Sequence, residues 1–313
     1  MPADPAIVLV AVLAEVLTGQ PRLWRGAISH PVSWIARVIR ALESRLNRPE
    51  LNDANRRAGG GVTVILVMGA AALVGYGLDR WFARIPWGVI PAALVGSLGL
   101  AHMSLYLHVA AVDRALAAND LPAARLAVGG IVGRDTADLD AEGVATAALE
   151  SLAESFNDGV VAPLLWFLLG GLAGLFAYKV VNTADSLIGH KEAPYRHFGW
   201  AAARTDDLMN LIPARLAGAL IALVGGRGWR TMLRDAPRHA SPNAGWPEAA
   251  MAGALGVCLG GPASYDGVVH NRPVFGEGPA PGAADLKRGL RLYLRTCAAL
   301  VLALAVGAFA WPR

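Results

Sequence analysis

GVVAPLLWFLLGGLAGLFAY, Gly159–Tyr178, runs for twenty residues without a formal charge. A helix needs about 20 apolar residues to cross the hydrocarbon of a bilayer with its backbone groups paired internally, so this stretch reads as a membrane helix. Its flanks are the opposite. ESLAESFND (Glu150–Asp158) leads into it and KVVNTADS (Lys179–Ser186) follows without a linker. Ionisable groups at the edge of a bilayer cost several kcal/mol unless a cation, a donor or a water-filled cavity receives them. The stretch therefore sets two expectations: a helical membrane protein, and polar chemistry at the ends of its spans.

The rest of the chain agrees with the first. It has 313 residues, 55% hydrophobic and 17% charged, too apolar for an ordinary soluble domain. Further spans are expected at 59–78, 86–112 and 292–311, with weaker ones at 5–17, which contains Glu15, and 208–226, which contains Asn210, Pro213 and Arg215. The expectation is an all-α, polytopic membrane protein with about five or six segments in one domain over 1–313. The first segment lacks a basic leader and a small-residue cleavage site, so it is expected to stay as an anchor. For 159–178 three arrangements stay open: a full crossing, a re-entrant pair broken at Gly170, Gly171 and Gly174, or polar ends meeting in a protein-lined cavity.

Connections between spans are long and charged. Eight arginines fall between Arg22 and Arg57, which by the excess of basic residues on the inner side places that loop in the cytoplasm. The two cysteines, Cys258 and Cys297, form no CxxC or Cys/His pattern, which argues against a zinc site or disulfide framework. The arginines lie between spans, and no nucleic-acid partner is expected.

Three polar sets recur at span boundaries. On a helix Glu150, Glu154, Asn157 and Asp158 share a face about 100° wide, and Lys179, Asn182, Asp185 and Ser186 share one of about 120°. Asp206, Asp207 and Asn210 form the third, with Arg204 and Arg215 nearby as counter-ions or phosphate donors. Solvated helix ends are the competing reading. All-oxygen sets of this kind suit a hard cation such as magnesium, which bridges a few carboxylates to phosphates. No phosphate loop of the Walker type exists, since GGRGW (Gly225–Trp229) lacks its lysine and hydroxyl. A fourth stretch, RHASPNAGWPEAAMAGALGVCLGG (Arg238–Gly261), puts His239, Ser241 and Asn243 in a turn ahead of a helix with Glu248 in its first turn. It can receive an anion or be a plain cap.

HPVSWIARVI (His30–Ile39), ESFNDGVVAPLLW, KVVNTADSLIGHK with the following YRHFGWAAARTDDLMNLIPARL, and SPNAGWPEAAMAGALGVCLGGPASYDG together resemble the CobD/CbiB family of cobalamin biosynthesis, the adenosylcobinamide-phosphate synthases. The resemblance runs in the same order over nearly the whole chain. Ala36 stands where that family usually has glycine, which puts the packing of that loop apart.

The resemblance implies a multi-pass protein of the bacterial inner membrane with a cytoplasm-facing site. It also implies an ATP- and magnesium-dependent ligase that joins aminopropanol or its phosphate to the free carboxylate of adenosylcobyric acid. Glu150, Glu154, Asn157, Asp158, Asn182, Asp185, Asp206, Asp207 and Asn210 would be its catalytic set. Within it, Asp158, Asp185 and Asp207 would hold magnesium with help from Glu154 and Asp206, and Glu150 would deprotonate the ammonium. His30, Lys179, Lys191, Arg196, Arg204, Arg215, Ser241 and Asn243 would meet substrate and phosphate. The bilayer, a second copy of the chain and other cobalamin-assembly enzymes are the expected partners. The alternatives are a corrinoid transporter without catalysis and a signalling protein of the AmpE-like relatives.

Overall fold

The structure is a computed structural model that describes residues 3–19 and 31–310. His30 lies outside those residues. The chain is helical almost throughout, in the order α1 (Pro5–Thr18), α2 (Pro31–Leu46), α3 (Asp53–Phe82), α4 (Val89–Ser97), α5 (His102–Ala117), α6 (Leu121–Gly129) and α7 (Ala141–Phe156). A π-helical turn (Asn157–Val161) leads into α8 (Ala162–Ile188), followed by α9 (Tyr195–Phe198), α10 (Trp200–Met209), α11 (Leu211–Val224), α12 (Trp229–Asp235), α13 (Gly245–Leu255) and α14 (Ala283–Ala310).

Local chemistry explains the boundaries. Asp4, Asn52, Asp120 and Asp140 each stand just before a helix, and their side-chain oxygens accept the N–H of Ala6, Asn55, Ala123 and Gly143 at 2.7–3.0 Å. Such a cap satisfies a donor that the helix leaves open and is worth about 1 kcal/mol.

Among the described residues four helical runs are long and apolar enough to cross a membrane: Asp53–Phe82, Val89–Ala117, Ala141–Ile188 and Ala283–Ala310. The bent pair α10 and α11 raises this to five. This is the expected polytopic helical class; the weaker span expected at 208–226 falls in the bent pair, whose break at Asn210 was not foreseen. Outward apolar side chains suit a lipid surround: Leu73 on α3 is 72% exposed and Phe309 on α14 is 94% exposed.

Several boundaries differ from expectation. Pro5–Thr18 is helical but has 14 residues, about 21 Å at 1.5 Å per residue against about 30 Å of hydrocarbon. The 86–112 segment divides into α4 and α5 around Leu98–Ala101. Around 159–178 the helix extends well into both polar flanks, because helix propensity carries on where apolar character stops. Strands, absent from the expectation, occur between α13 and α14 as two short antiparallel ladders. Leu259–Gly260 pairs with Val274–Phe275, and Ala263–Tyr265 pairs with Val268–His270. The second turns at Asp266 (φ 49°) and Gly267 (φ 78°), the positive angles that an Asp-Gly hairpin turn uses.

The described residues pack as two compact units. The first comprises Met1–Ala101, Ala162–Asn210 and Leu304–Arg313. Its core joins Ile39, Val64, Ala184, Ile188, Phe198 and Ala202 from α2, α3, α8, α9 and α10. Within α8, Gly171 adopts φ 62°, ψ −154°, a conformation that only glycine takes without strain. This breaks the span at one of the three glycines where a break was an open reading. The break exposes the N–H of Leu172, which donates to Asp79 Oδ2 of α3 at 3.0 Å, so a carboxylate one helix away caps the second half of α8.

One turn before Asp79, Gly75 lets α3 approach. A Cβ there would meet backbone atoms of Leu172 and Ala173 at 2.6 Å. Gly75→Ala is expected to cost about 1–3 kcal/mol through overpacking. Gly77→Ala, where a Cβ meets nothing within 4 Å, should leave stability unchanged or slightly raised. Thermal unfolding of the two variants in detergent checks this.

The second unit comprises His102–Val161 and Leu211–Ala303. Phe156 and Tyr293 meet edge to face, with ring centroids 5.8 Å apart. The Tyr293 hydroxyl donates to the His102 carbonyl at 2.6 Å, which gives a buried phenol its partner.

Candidate functional site

In the first unit the second and third polar sets come together. Tyr178 and Asn182 descend one face of α8; Asp206 lies on α10 and Asn210 caps its end. Asp206 accepts Asn210 Nδ2 at 3.0 Å through Oδ2 and Asn182 Nδ2 at 3.5 Å through Oδ1. The Tyr178 hydroxyl donates to Asn210 Oδ1 at 3.2 Å. Tyr178 and Asn210 are buried, so a continuous chain of phenol, amide, carboxylate and amide enters the protein between two helices. A low-dielectric setting strengthens each of these bonds and fixes their orientation.

The other residues expected in this unit are spread around that chain. Arg204 pairs with Asp207 at 3.1 Å on the surface. Lys191 and Arg196 are exposed on the stretch after α8, and Asp185 is half-buried. Lys179 lines an apolar cavity of about 520 Å³ together with Trp34, Val38, Val74 and Phe176.

In the second unit Glu150 is the centre. It is 3% exposed, and both its oxygens are engaged. Arg134 Nη2 binds Oε2, Arg272 Nη2 reaches Oε1 at 3.0 Å and Oε2 at 2.9 Å, and the N–H of Gly260 donates to Oε1 at 2.5 Å. Arg272 also donates to the Gly261 carbonyl at 3.2 Å. The strand segments thus exist to present Gly260, Tyr265 and Arg272 to α7. A buried carboxylate so bound by two guanidinium groups is ionised and fixed.

Beside it is a cavity of about 160 Å³ lined by Arg134, Glu150, Glu154, Glu248, Tyr265 and Arg272, among others. Glu248, in the first turn of α13, is 3% exposed, and among the described residues no hydrogen-bond donor reaches its Oε2. Its Oε1 lies 3.8 Å from His239 Nε2. Burial raises the Glu248 pKa well above the ordinary carboxylate range, and the Glu150 and Glu154 carboxylates push it in the same direction.

Asn157 and Asp158 sit at the start of the π turn, where Asn157 Nδ2 donates to Asp158 Oδ1 at 2.7 Å. Single π turns interrupt helices preferentially at functional positions. Ser241 and Asn243 form a local turn: Ser241 Oγ accepts the N–H groups of Asn243 and Ala244 at 3.2 and 3.3 Å. Arg215 donates to the Leu211 carbonyl at 2.5 Å, and its guanidinium lies 4.6 Å from the centre of the Trp246 ring. Both positions thus have local structural partners.

Arg134, Arg272 and Glu248 are the residues that sequence reasoning left out of the site. The first two are single arginines in GRD (Gly133–Asp135) and NRP (Asn271–Pro273), short Gly- and Pro-bearing stretches that give no period to read. Among the described residues no group of three or more His, Cys, Asp or Glu side chains is placed to hold a metal ion.

The model of the CobD/Cbib protein family matches residues 8–293. A cobalamin biosynthesis protein CobD of Rhodobacter capsulatus is 46% identical over 310 residues, covering 98% of both chains. One of Geobacter metallireducens is 46% identical over 311 residues, 96% of both chains, and one of a Sinorhizobium species is 43% identical over 316 residues, 96% of this chain and 98% of that one. No solved structure matches.

Proposed function

This chain belongs to the CobD/Cbib protein family and serves cobalamin biosynthesis, and from that premise we propose that it is an ATP- and magnesium-dependent ligase of the bacterial inner membrane. It joins the amine of aminopropanol, or of its phosphate, to the free carboxylate of adenosylcobyric acid at a cytoplasm-facing site. The observation that carries the reading is the chain Tyr178–Asn210–Asp206–Asn182, amide and carboxylate groups held rigid at the ends of apolar helices.

A carboxylate does not react with an amine directly. One carboxylate oxygen attacks the terminal phosphorus of ATP and ADP leaves. The deprotonated amine then adds to the acyl carbon, and phosphate departs carrying that oxygen. The protein's task is to hold the phosphoryl group and the two substrates in line, and to meet charge where it develops. Asn182 and Asn210, oriented by Asp206, face phosphate or amide groups, and Lys191, Arg196 and Arg204 supply positive charge. Asp185 and Asp207 are all-oxygen donors that suit a hard cation. With no three-residue group among the described residues, substrate phosphates and water would complete its shell. Magnesium bound there would neutralise phosphoryl charge. Asp158, the third carboxylate of the proposal, belongs to the second unit. The doubly bridged state of Glu150 supports a positioning role in place of the general base expected for it.

Purified protein in detergent, given adenosylcobyric acid, aminopropanol, ATP and magnesium, should yield a corrinoid heavier by the amine less one water, and chelation by EDTA should stop the reaction reversibly. Corrinoid binding with no product under any of these conditions would instead favour a transporter.

A further inference from the structure

The geometry points to the second unit's cavity as the seat of a small primary amine, with Glu248 as the carboxylate that anchors its ammonium group. This rests on the ligase reading only for the identity of the amine; the site itself follows from the cavity.

Three glutamates and two arginines line it. Both arginines are bound to Glu150, so an incoming anion would have to displace that carboxylate from two guanidinium groups. Glu248 faces the same cavity, with Glu154 beside it in the lining. Glu248 Oε2 is buried and without a donor among the described residues. A polar atom in that state is costly, and in a native protein it calls for a partner.

An ammonium group supplies three N–H donors and a positive charge at once. Among the described residues no third ligating side chain joins Glu154 and Glu248 to hold a metal ion. The cavity volume of about 160 Å³ equals about five waters, room for the head of a small amino alcohol and not for a nucleotide or a corrinoid. Ammonium recognition also matches the surroundings. The Glu150 and Glu154 carboxylates, which raise the cost of ionising an empty Glu248, fall on the favourable side once a cation lies among them.

The test uses the full-length chain in detergent and ligand-observed NMR titration with 1-aminopropan-2-ol. Propane-1,2-diol, which has a hydroxyl in place of the ammonium, is the control. Wild type should bind the amine at least tenfold more tightly than the diol. Glu248→Gln and Glu154→Gln should each weaken amine binding about tenfold or more, with retention on a sizing column unchanged. Equal binding of amine and diol by wild type would overturn the inference, and this arm needs no variant to fold. So would a folded Glu248→Gln protein that binds the amine as wild type does.

The outcome is separable from the ligase reading. Glu248-dependent amine binding without turnover keeps this site and removes the ligase. Turnover in Glu248→Gln with an unchanged KM for the amine keeps the ligase and removes this site.

Discussion

Glu150→Gln is expected to lower turnover by about 10–100-fold, the usual contribution of a group that positions a site, and stability by about 3–5 kcal/mol, the range seen when one partner of a buried ion pair is removed. The variant keeps the shape and loses the charge. Arg134 and Arg272 then face a neutral amide inside the protein, whose single carbonyl oxygen must serve the three donor groups that two carboxylate oxygens served. Two losses therefore coincide, the tie that holds Leu259–Phe275 against α7 and the fixed placement of both guanidinium groups at the cavity. Steady-state turnover and thermal unfolding read them separately. A variant with wild-type stability and wild-type turnover would show that the double bridge is dispensable. Arg272→Ala should resemble it in direction and be milder, because Arg134 still neutralises Glu150.

Asp206→Ala is the second. It removes the acceptor that orients both Asn182 and Asn210, and groups that orient a binding site from behind typically contribute about 10–100-fold. Turnover is expected to fall by about that factor, with a rise in the magnesium concentration that gives half-maximal rate. Stability should change less than in Glu150→Gln, because the hydrogen bond from the Tyr178 hydroxyl to Asn210 is untouched. An unchanged magnesium dependence would remove this carboxylate from the metal and phosphate chemistry.

Much of the architecture was legible because membrane helices depend on composition alone. A run such as Gly159–Tyr178 needs no knowledge of its neighbours to be read, whereas a break at Gly170, Gly171 or Gly174 was one open reading among three, and only the backbone angles single out Gly171. The Asp266–Gly267 hairpin was equally legible in principle. It passed as connection because its strands are three residues each, too short for alternation to register.

The site divides on the same line. Asp206 and Asn210 could be grouped from helical spacing and are hydrogen-bonded, whereas Asn182 belonged to a separate set and joins them only in the fold. The partners of Glu150 lie 16 and 122 residues away, and no local pattern ties a glutamate on a helix to an arginine in a distant turn. Glu248 was seen as a helix-start acid, a role with its own explanation. Only its burial, which sequence does not carry, separates it from one.

The central claim, that this chain activates a carboxylate with ATP and passes it to an amine, is tested most directly by an isotope. Adenosylcobyric acid labelled with oxygen-18 in its free carboxylate would be turned over with aminopropanol, ATP and magnesium, and the products weighed. The account predicts one labelled oxygen in the released phosphate for each amide formed. Amide formed with unlabelled phosphate, or labelled substrate recovered intact beside bound protein, would contradict it.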